Sequence, residues 1–212
     1  MLIHSRQILA ALPCITNNTT HYALNAVRLS QTGTTTTAEA TNGHIDVRIT
    51  GPSFPWSDGP LKLCPEGANP RTAPACVPAD RLATLAKLGK KNKSSIDVLS
   101  YVAVTDAGEC RATDLAQIAT AQAENNASFP DTDKLYARNV PNATRLIVSV
   151  KVLTSLLASL KAFHAGTGSS TGGTVTLHLP APNADGLIDD RVGLSAAHEP
   201  FHLTGVFMGC RK

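Results

Sequence analysis

Charge is scarce in this 212-residue chain: Asp, Glu, Lys and Arg together make up 17%, where soluble domains carry about 25%. The shortage does not signal disorder, because 42% of the residues are apolar and the net charge is only +3, so a sizeable core is within reach. Long apolar runs are missing too, and none approaches the roughly 20 residues that cross a bilayer. Paired cysteines are a third absence. Cys14, Cys64, Cys76, Cys110 and Cys210 are odd in number, scattered, and form no C-x-x-C. Such spacing excludes a close-paired zinc site and argues against a disulfide framework. It predicts reduced, mostly buried thiols and a cytoplasmic protein. Sequons at Asn17, Asn18, Asn126 and Asn142, and the short apolar stretch Ile8 to Cys14 interrupted by Pro13, do not overturn that expectation.

Signatures of catalysis are equally thin. Neither G-x-x-x-x-G-K-[ST] nor G-x-S-x-G occurs, and no paired carboxylates or nucleophile cluster stands out. The glycine-rich stretch Gly166 to Gly173 follows a helical pattern and leads into a strand, the wrong order for phosphate at a helix N-terminus. His198-Glu199-Pro200-Phe201-His202 fits H-E-x-x-H, but that chemistry needs both imidazoles on one helix face with a third ligand. Pro200 would break such a helix, and the ten residues after His202 include no His, Asp or Glu. A turn between two late strands is expected instead. No catalytic residue, metal or cofactor is assigned, and the chain is not expected to be an enzyme.

What the sequence does contain is one pattern, three times: an opening strand or turn, an amphipathic helix, then several strands. The first copy opens at Met1 to His4, with Ser5 as the expected N-cap of a helix from Arg6 to Leu12 that Pro13 ends. Strands are expected at Tyr22 to Leu29, Thr34 to Ala40 and His44 to Ile49, with turns at Gln31-Thr32-Gly33 and Asn42-Gly43. The second copy follows the Gly/Pro/Ser connection Gly51 to Pro60. Pro78 is expected at the first helical position, Leu82, Leu85 and Ala86 on the apolar stripe, and Gly89 just past the helix end. Strands should follow at Ile96 to Thr105, Glu109 to Ala112 and Gln117 to Gln122. The third copy begins at Arg145 to Val148. Its helix, Val150 to Phe163, places Leu153, Leu156, Leu157 and Leu160 on one face. Strands near Val175 to Leu179, Asp190 to Ser195 and His202 to Met208 complete it. A single unit would leave an apolar sheet face uncovered, so units should pair.

The strings themselves resemble a known family. Thr20-His21-Tyr22-Ala23-Leu24-Asn25-Ala26-Val27 and Glu39-Ala40-Thr41-Asn42-Gly43-His44 are similar to R-Y-Y-L-N-G and A-T-D-G-H-R-L in the middle domain of the bacterial DNA polymerase III sliding clamp (beta subunit). Cys76 to Leu82 looks like that family's V-P-x-K-x-L helix start. Phe129-Pro130-Asp131 with Lys134-Leu135 looks like its F-P-D-Y-R-R-V segment. Arg145 to Lys161 resembles the second half of its last domain, and Val206-Phe207-Met208-Gly209-Cys210-Arg211 its terminal V-V-M-P-M-R. The strings occur in family order, covering the equivalent of one whole clamp domain plus half of another.

The resemblance implies an α+β, DNA-clamp-like fold of three helix-plus-antiparallel-strands units, with the helices on one face of curved sheets. It implies a complete two-unit domain over 1–138 and a half domain over 139–212. The implied function is a DNA-encircling processivity factor that catalyses nothing and tethers a polymerase or other replication or repair protein to duplex DNA, without regard to base sequence. The alternative is a clamp-fold peptide-binding adaptor or decoy that does not encircle DNA. Carried over position by position, a peptide pocket would comprise Leu24, Thr41, Gly43, His44, Pro130, Lys134, Leu135, Val206 and Met208. Asp46 stands where the family has a leucine and Ile45 where it has an arginine, so peptide preference should differ. Arg6, Arg81, Lys87, Lys90, Lys91, Lys93, Lys151 and Lys161 would face DNA; by themselves these cations are also what solvated helix faces carry. The partners implied are duplex DNA, a clamp-motif peptide and the chain itself. The third unit, left with its four leucines and no partner in its own chain, should pair with a second copy, and two such dimers could close a ring.

Overall fold

The computed structural model describes residues 1–15, 25–43, 45–58, 63–90, 100–124, 129–132, 149–165, 175–179, 191–198 and 200–208, with the backbone alone at 58, 90, 198 and 208. Strand β1 (Leu2–His4) runs straight into helix α1 (Ser5–Ala11). His4, not the expected Ser5, caps the helix. Its Nδ1 accepts from the Arg6 N–H at 3.1 Å while Gln7 Oε1 accepts from the His4 N–H at 3.2 Å, so two otherwise orphaned backbone donors are satisfied reciprocally. Pro13 then confines the chain to a short 3-10 turn, Leu12–Cys14. Three antiparallel strands follow: β2 (Ala26–Thr32), β3 (Thr35–Thr41) and β4 (Ile45–Pro52). Both hairpin turns fall at the expected glycines, with Gly33 at φ +57° and Gly43 at φ +86°, backbone that favours a residue without Cβ.

The same order recurs. Strand β5 (Ala75–Pro78) precedes α2 (Ala79–Lys90), then β6 (Tyr101–Val104), β7 (Glu109–Thr113) and β8 (Ile118–Gln122). Two local expectations are corrected: Pro78 closes β5 instead of opening the helix, and Gly89 lies inside α2 instead of beyond its end. Leu82, Leu85 and Ala86 are buried as the stripe requires. In the third unit α3 (Val150–His164) is followed by β9 (Val175–His178), β10 (Arg191–His198) and β11 (Phe201–Met208). His198 and Phe201 pair across the β10–β11 hairpin, so the H-E-x-x-H string is a turn between strands, not a helix. The opening strand expected at Arg145 to Val148 and the domain division expected at 138 lie outside the described residues.

The first two units exchange their opening strands. β1 adds to β6, with Leu2 opposite Ala103, and β5 adds to β2, with Val77 opposite Val27. The resulting four-stranded sheet runs β1-β6-β7-β8, while the other sheet continues through β5-β2-β3-β4 into β11-β10-β9. The seam is antiparallel β4–β11, with Ile49 opposite Leu203 and Asp46 opposite Val206. Side chains alternate across these strands. Ala38, Ala40, Val47, Ile49 and Leu203 join one core with Ile8, Leu82, Leu85, Leu156 and Phe163 from the three helices. Gln7, wholly buried on α1, donates to the carbonyls of Thr36 and Ile49 at 3.0 and 3.1 Å and accepts from Thr36 Oγ1 at 3.2 Å. Its amide is fully bonded and locks the helix to β3 and β4.

α1 lies in the middle, with α2 packed on one side and α3 on the other. The third apolar helix therefore does find a partner in its own chain, contrary to expectation. Leu156 and Phe163 are buried, Leu160 is half-buried against the core, and Ser159 Oγ donates to the Ala10 carbonyl of α1. Leu153 and Leu157 remain 47% and 57% exposed.

Candidate functional site

Two surfaces carry the candidate residues. The first is the sheet face turned away from the helices, at the β4–β11 seam. Cross-strand register sets Thr41, Asp46 and Val206 in one row over β3, β4 and β11. The row two residues along contains Arg28, Glu39, Arg48 and Thr204 on the same face. At the end of β3 the turn is tightly tied. Thr41 Oγ1 donates to the Ile45 carbonyl at 2.7 Å and accepts from the Gly43 N–H at 3.2 Å, while Asn42 Oδ1 accepts from the Ile45 N–H at 2.9 Å. Thr41 and Gly43 are thereby held beside β4, whose Asp46 faces Val206.

A cluster that sequence reading missed lies next to this row. Glu39, 3% exposed, binds the Arg48 guanidinium through Oε1, at 2.7 Å from Nη2 and 3.1 Å from Nε. Its Oε2 meets Arg28 Nη1 at 3.4 Å. Thr132 Oγ1 donates to Glu39 Oε1 and accepts from Arg48 Nη2 at 2.9 Å, and the Arg28 guanidinium lies 5.7 Å from the centre of the Phe129 ring. These contacts pin residues 129–132 across the outer face of β2, β3 and β4. The arrangement neutralises a buried carboxylate with two cations and a hydroxyl, which is what a charge removed from water needs. Its sequence signal was weak: three charges on neighbouring strands, meaningful only once the register is known.

Of the expected pocket, Thr41, Gly43 and Val206 converge at the seam. Pro130 sits in the segment that the Glu39 cluster pins to the same face. Thr41 and Val206 are buried, at 5% and 7% exposure, as is Asp46. Met208 ends β11. Leu24, His44, Lys134 and Leu135 lie outside the described residues.

The second surface is the helix layer. Arg81 and Lys87 on α2, and Lys151 and Lys161 on α3, are exposed. Arg81 shares shallow clefts with Asp80, Glu109 and Glu124, so part of its field is offset locally. Arg6 differs from the others: it is half-buried on α1, with its guanidinium 5.4 Å over the Phe201 ring. There the stem and head serve packing as well as charge. Lys90 ends α2, and Lys91 and Lys93 lie outside the described residues. Among the described residues no group of three or more His, Cys, Asp and Glu could hold a metal ion, and no helix is long and apolar enough to cross a membrane. Burial pushes the Cys14 and Cys110 thiols up to about 12, which makes them inert packing groups instead of nucleophiles.

No family model matches this sequence, and no curated protein matches it. Solved structures do match. A DNA polymerase sliding clamp from Pseudomonas aeruginosa superposes with a TM-score of 0.65 at 14% identity, over 100% of this chain and 66% of that one. The beta subunit from DNA polymerase of Streptococcus pyogenes gives 0.60 at 12% identity, with 100% and 66% covered. A putative DNA polymerase III beta subunit from Eubacterium rectale gives 0.61 at 7% identity, with 99% and 64% covered. The chain thus has the sliding-clamp fold, at just under two thirds of the length of the clamps it matches.

Proposed function

Taking the sliding-clamp fold as premise, we propose that this chain is a sliding-clamp-like processivity factor. Several copies surround duplex DNA with their helices inward and tether a DNA polymerase, or another replication or repair protein, to the template. The observation that carries this reading is the helix layer. Three helices lie side by side with α1 in the middle, and the exposed Lys87, Lys151 and Lys161 sit on its two flanking members. Helices presenting a few long cations suit loose contact with phosphates, which gives affinity without sequence preference and allows sliding. The tethered partner would bind at the outer face, beside Thr41, Gly43 and Val206 and the segment that contains Pro130, with Asp46 shifting the preference for peptide. No catalytic step is assigned to the chain.

The test is topological. The protein is incubated with a nicked circular plasmid or its linearised form, and bound protein is separated from free by gel filtration at rising salt. Retention on the circle with loss from linear ends is the expected result. Replacing Lys87, Lys151 and Lys161 by Gln should make binding less salt-dependent for every DNA sequence, because fewer counterions are released. Equal, weak retention on both forms would instead favour the peptide-binding adaptor that does not encircle DNA.

A further inference from the structure

His4 is the residue at which all three units meet. It ends β1, and its imidazole meets the Tyr101 ring of β6 edge-on at 5.0 Å and the Phe201 ring of β11 at 4.9 Å. Tyr101 and Phe201 are buried, and the Phe201 ring lies against Gly51, where there is no room for a Cβ. The same imidazole closes the first turn of α1, because its Nδ1 accepts from the Arg6 N–H at 3.1 Å. A backbone N–H only donates, so Nδ1 carries a lone pair and the ring is neutral with its proton on Nε2. A second proton has one place to go, Nδ1, and there it opposes the Arg6 N–H.

We propose that His4 is an acid-sensitive latch between the units. Neutral, it caps α1 and joins β6 and β11 to it; protonated, it gives up the cap and loosens these contacts together. The surrounding groups work in the same direction. On α1 the Arg6 guanidinium lies 5.4 Å from the centre of the same Phe201 ring. An imidazolium would therefore stand near a like charge and beside the orphan N–H groups of the helix start. Gln7, whose Oε1 accepts from the His4 N–H, is uncharged. From β6 comes the Tyr101 phenol, neutral in acid. On β11, His202 follows Phe201 but alternates to the other face of the strand and is exposed. The folded state thus binds this proton less readily than the unfolded chain, whose histidines titrate near about 6.5. Below that pH the unfolded state holds more protons, and stability falls as pH falls. At the other end of β1 the buried Met1 amine donates to the Val104 carbonyl at 2.8 Å. Desolvation lowers that amine from 8.0 to about 5, so it acts in the same direction over its own range. The inference rests on ring and cap geometry and holds whether or not the chain binds DNA.

Nuclear magnetic resonance of the full chain, together with His4→Asn, tests it. Asn keeps a capping oxygen and does not titrate, and Met1 is untouched, so the difference between the two proteins isolates His4. From about pH 7.5 to about pH 5 the unfolding constant, measured in urea, should rise about five- to tenfold more for wild type than for His4→Asn. In wild type the His4 ring signals should titrate with a midpoint below about 6.5. The Arg6 amide and Phe201 ring signals should move with that same midpoint. An equal rise in both proteins overturns the proposal. So does a native His4 midpoint at or above about 6.5, or Arg6 and Phe201 signals that ignore the titration. If His4→Asn does not fold, the wild-type resonances decide alone.

Discussion

Replacing Glu39 by Gln keeps the size of the side chain and removes its charge, leaving Arg28 and Arg48 without their carboxylate at the outer face of the sheet. Hydrogen bonds to charged groups contribute about 1.5–3 kcal/mol each, and breaking one side of a buried ion pair costs about 3–5 kcal/mol. The Arg28 and Arg48 side chains are 31% and 23% exposed, so water recovers part of that loss, and a net destabilisation of about 2–3 kcal/mol is expected. The two arginines should not be equal. Arg48 makes the short two-nitrogen contact and also reaches Thr132, whereas Arg28 sits at 3.4 Å and is the more exposed. Arg28→Met should therefore cost under about 1 kcal/mol, with Arg48→Met between it and Glu39→Gln. Urea unfolding with unchanged slope measures all three. Limited proteolysis near residues 129–132 should quicken in step with the loss, since Thr132 is held through Glu39. A Glu39→Gln protein within 1 kcal/mol of wild type would refute the argument, as would Arg28→Met proving the most damaging of the three.

Gly51→Ala should lower stability by about 1–3 kcal/mol through overpacking. A Cβ there would meet Phe201 Cε1 at 2.7 Å and Cδ1 closer still, and the melting point should recover when Phe201→Leu is added. The buried thiols set an alkaline limit. Unfolded cysteines lose their protons near pH 9, while folded Cys14 and Cys110 hold theirs to about 12. The folded state binds more protons in that window, and stability falls as pH rises through it. A melting point that is flat from pH 9 upward, or unchanged by Cys110→Ala, contradicts this, as does reaction of native Cys14 or Cys110 with a thiol reagent at neutral pH.

Much of the local structure was legible because apolar spacing and turn residues decide it. Ile8 and the Leu82-Leu85-Ala86 stripe are buried, Gly33 and Gly43 take positive φ, and Pro200 turns the last hairpin. The misses lie where a local rule competes with a neighbour. Ser5 reads as a cap, yet His4 is placed between the Tyr101 and Phe201 rings, at 5.0 and 4.9 Å, and caps the helix from there. Gly89 reads as a helix stop, but in α2 it is buried and the helix continues through it. The third helix was read in isolation, and nothing in Leu156 or Phe163 announces that α1, about 150 positions earlier, covers them; Ser159 and Ala10 are 149 apart. The candidate pocket was reached through resemblance alone. Thr41, Asp46 and Val206 become neighbours only through register, which periodicity does not supply, and the Glu39 cluster beside them stayed invisible for the same reason.

The β4–β11 seam also shapes how the nascent chain must behave. Arg48 and Thr204, opposite each other across it, are 156 positions apart. A ribosome adding about 5–20 residues per second therefore leaves β4 without β11 for roughly 8–30 s. Through that interval the first hairpins can form while β4 offers an open edge to any other strand nearby. Asp46 and Arg48 alternate along this edge, and charges so placed discourage intermolecular pairing. Arg48 is drawn onto Glu39 within the finished sheet, so the residue that guards the unfinished strand later helps to fix the outer segment upon it.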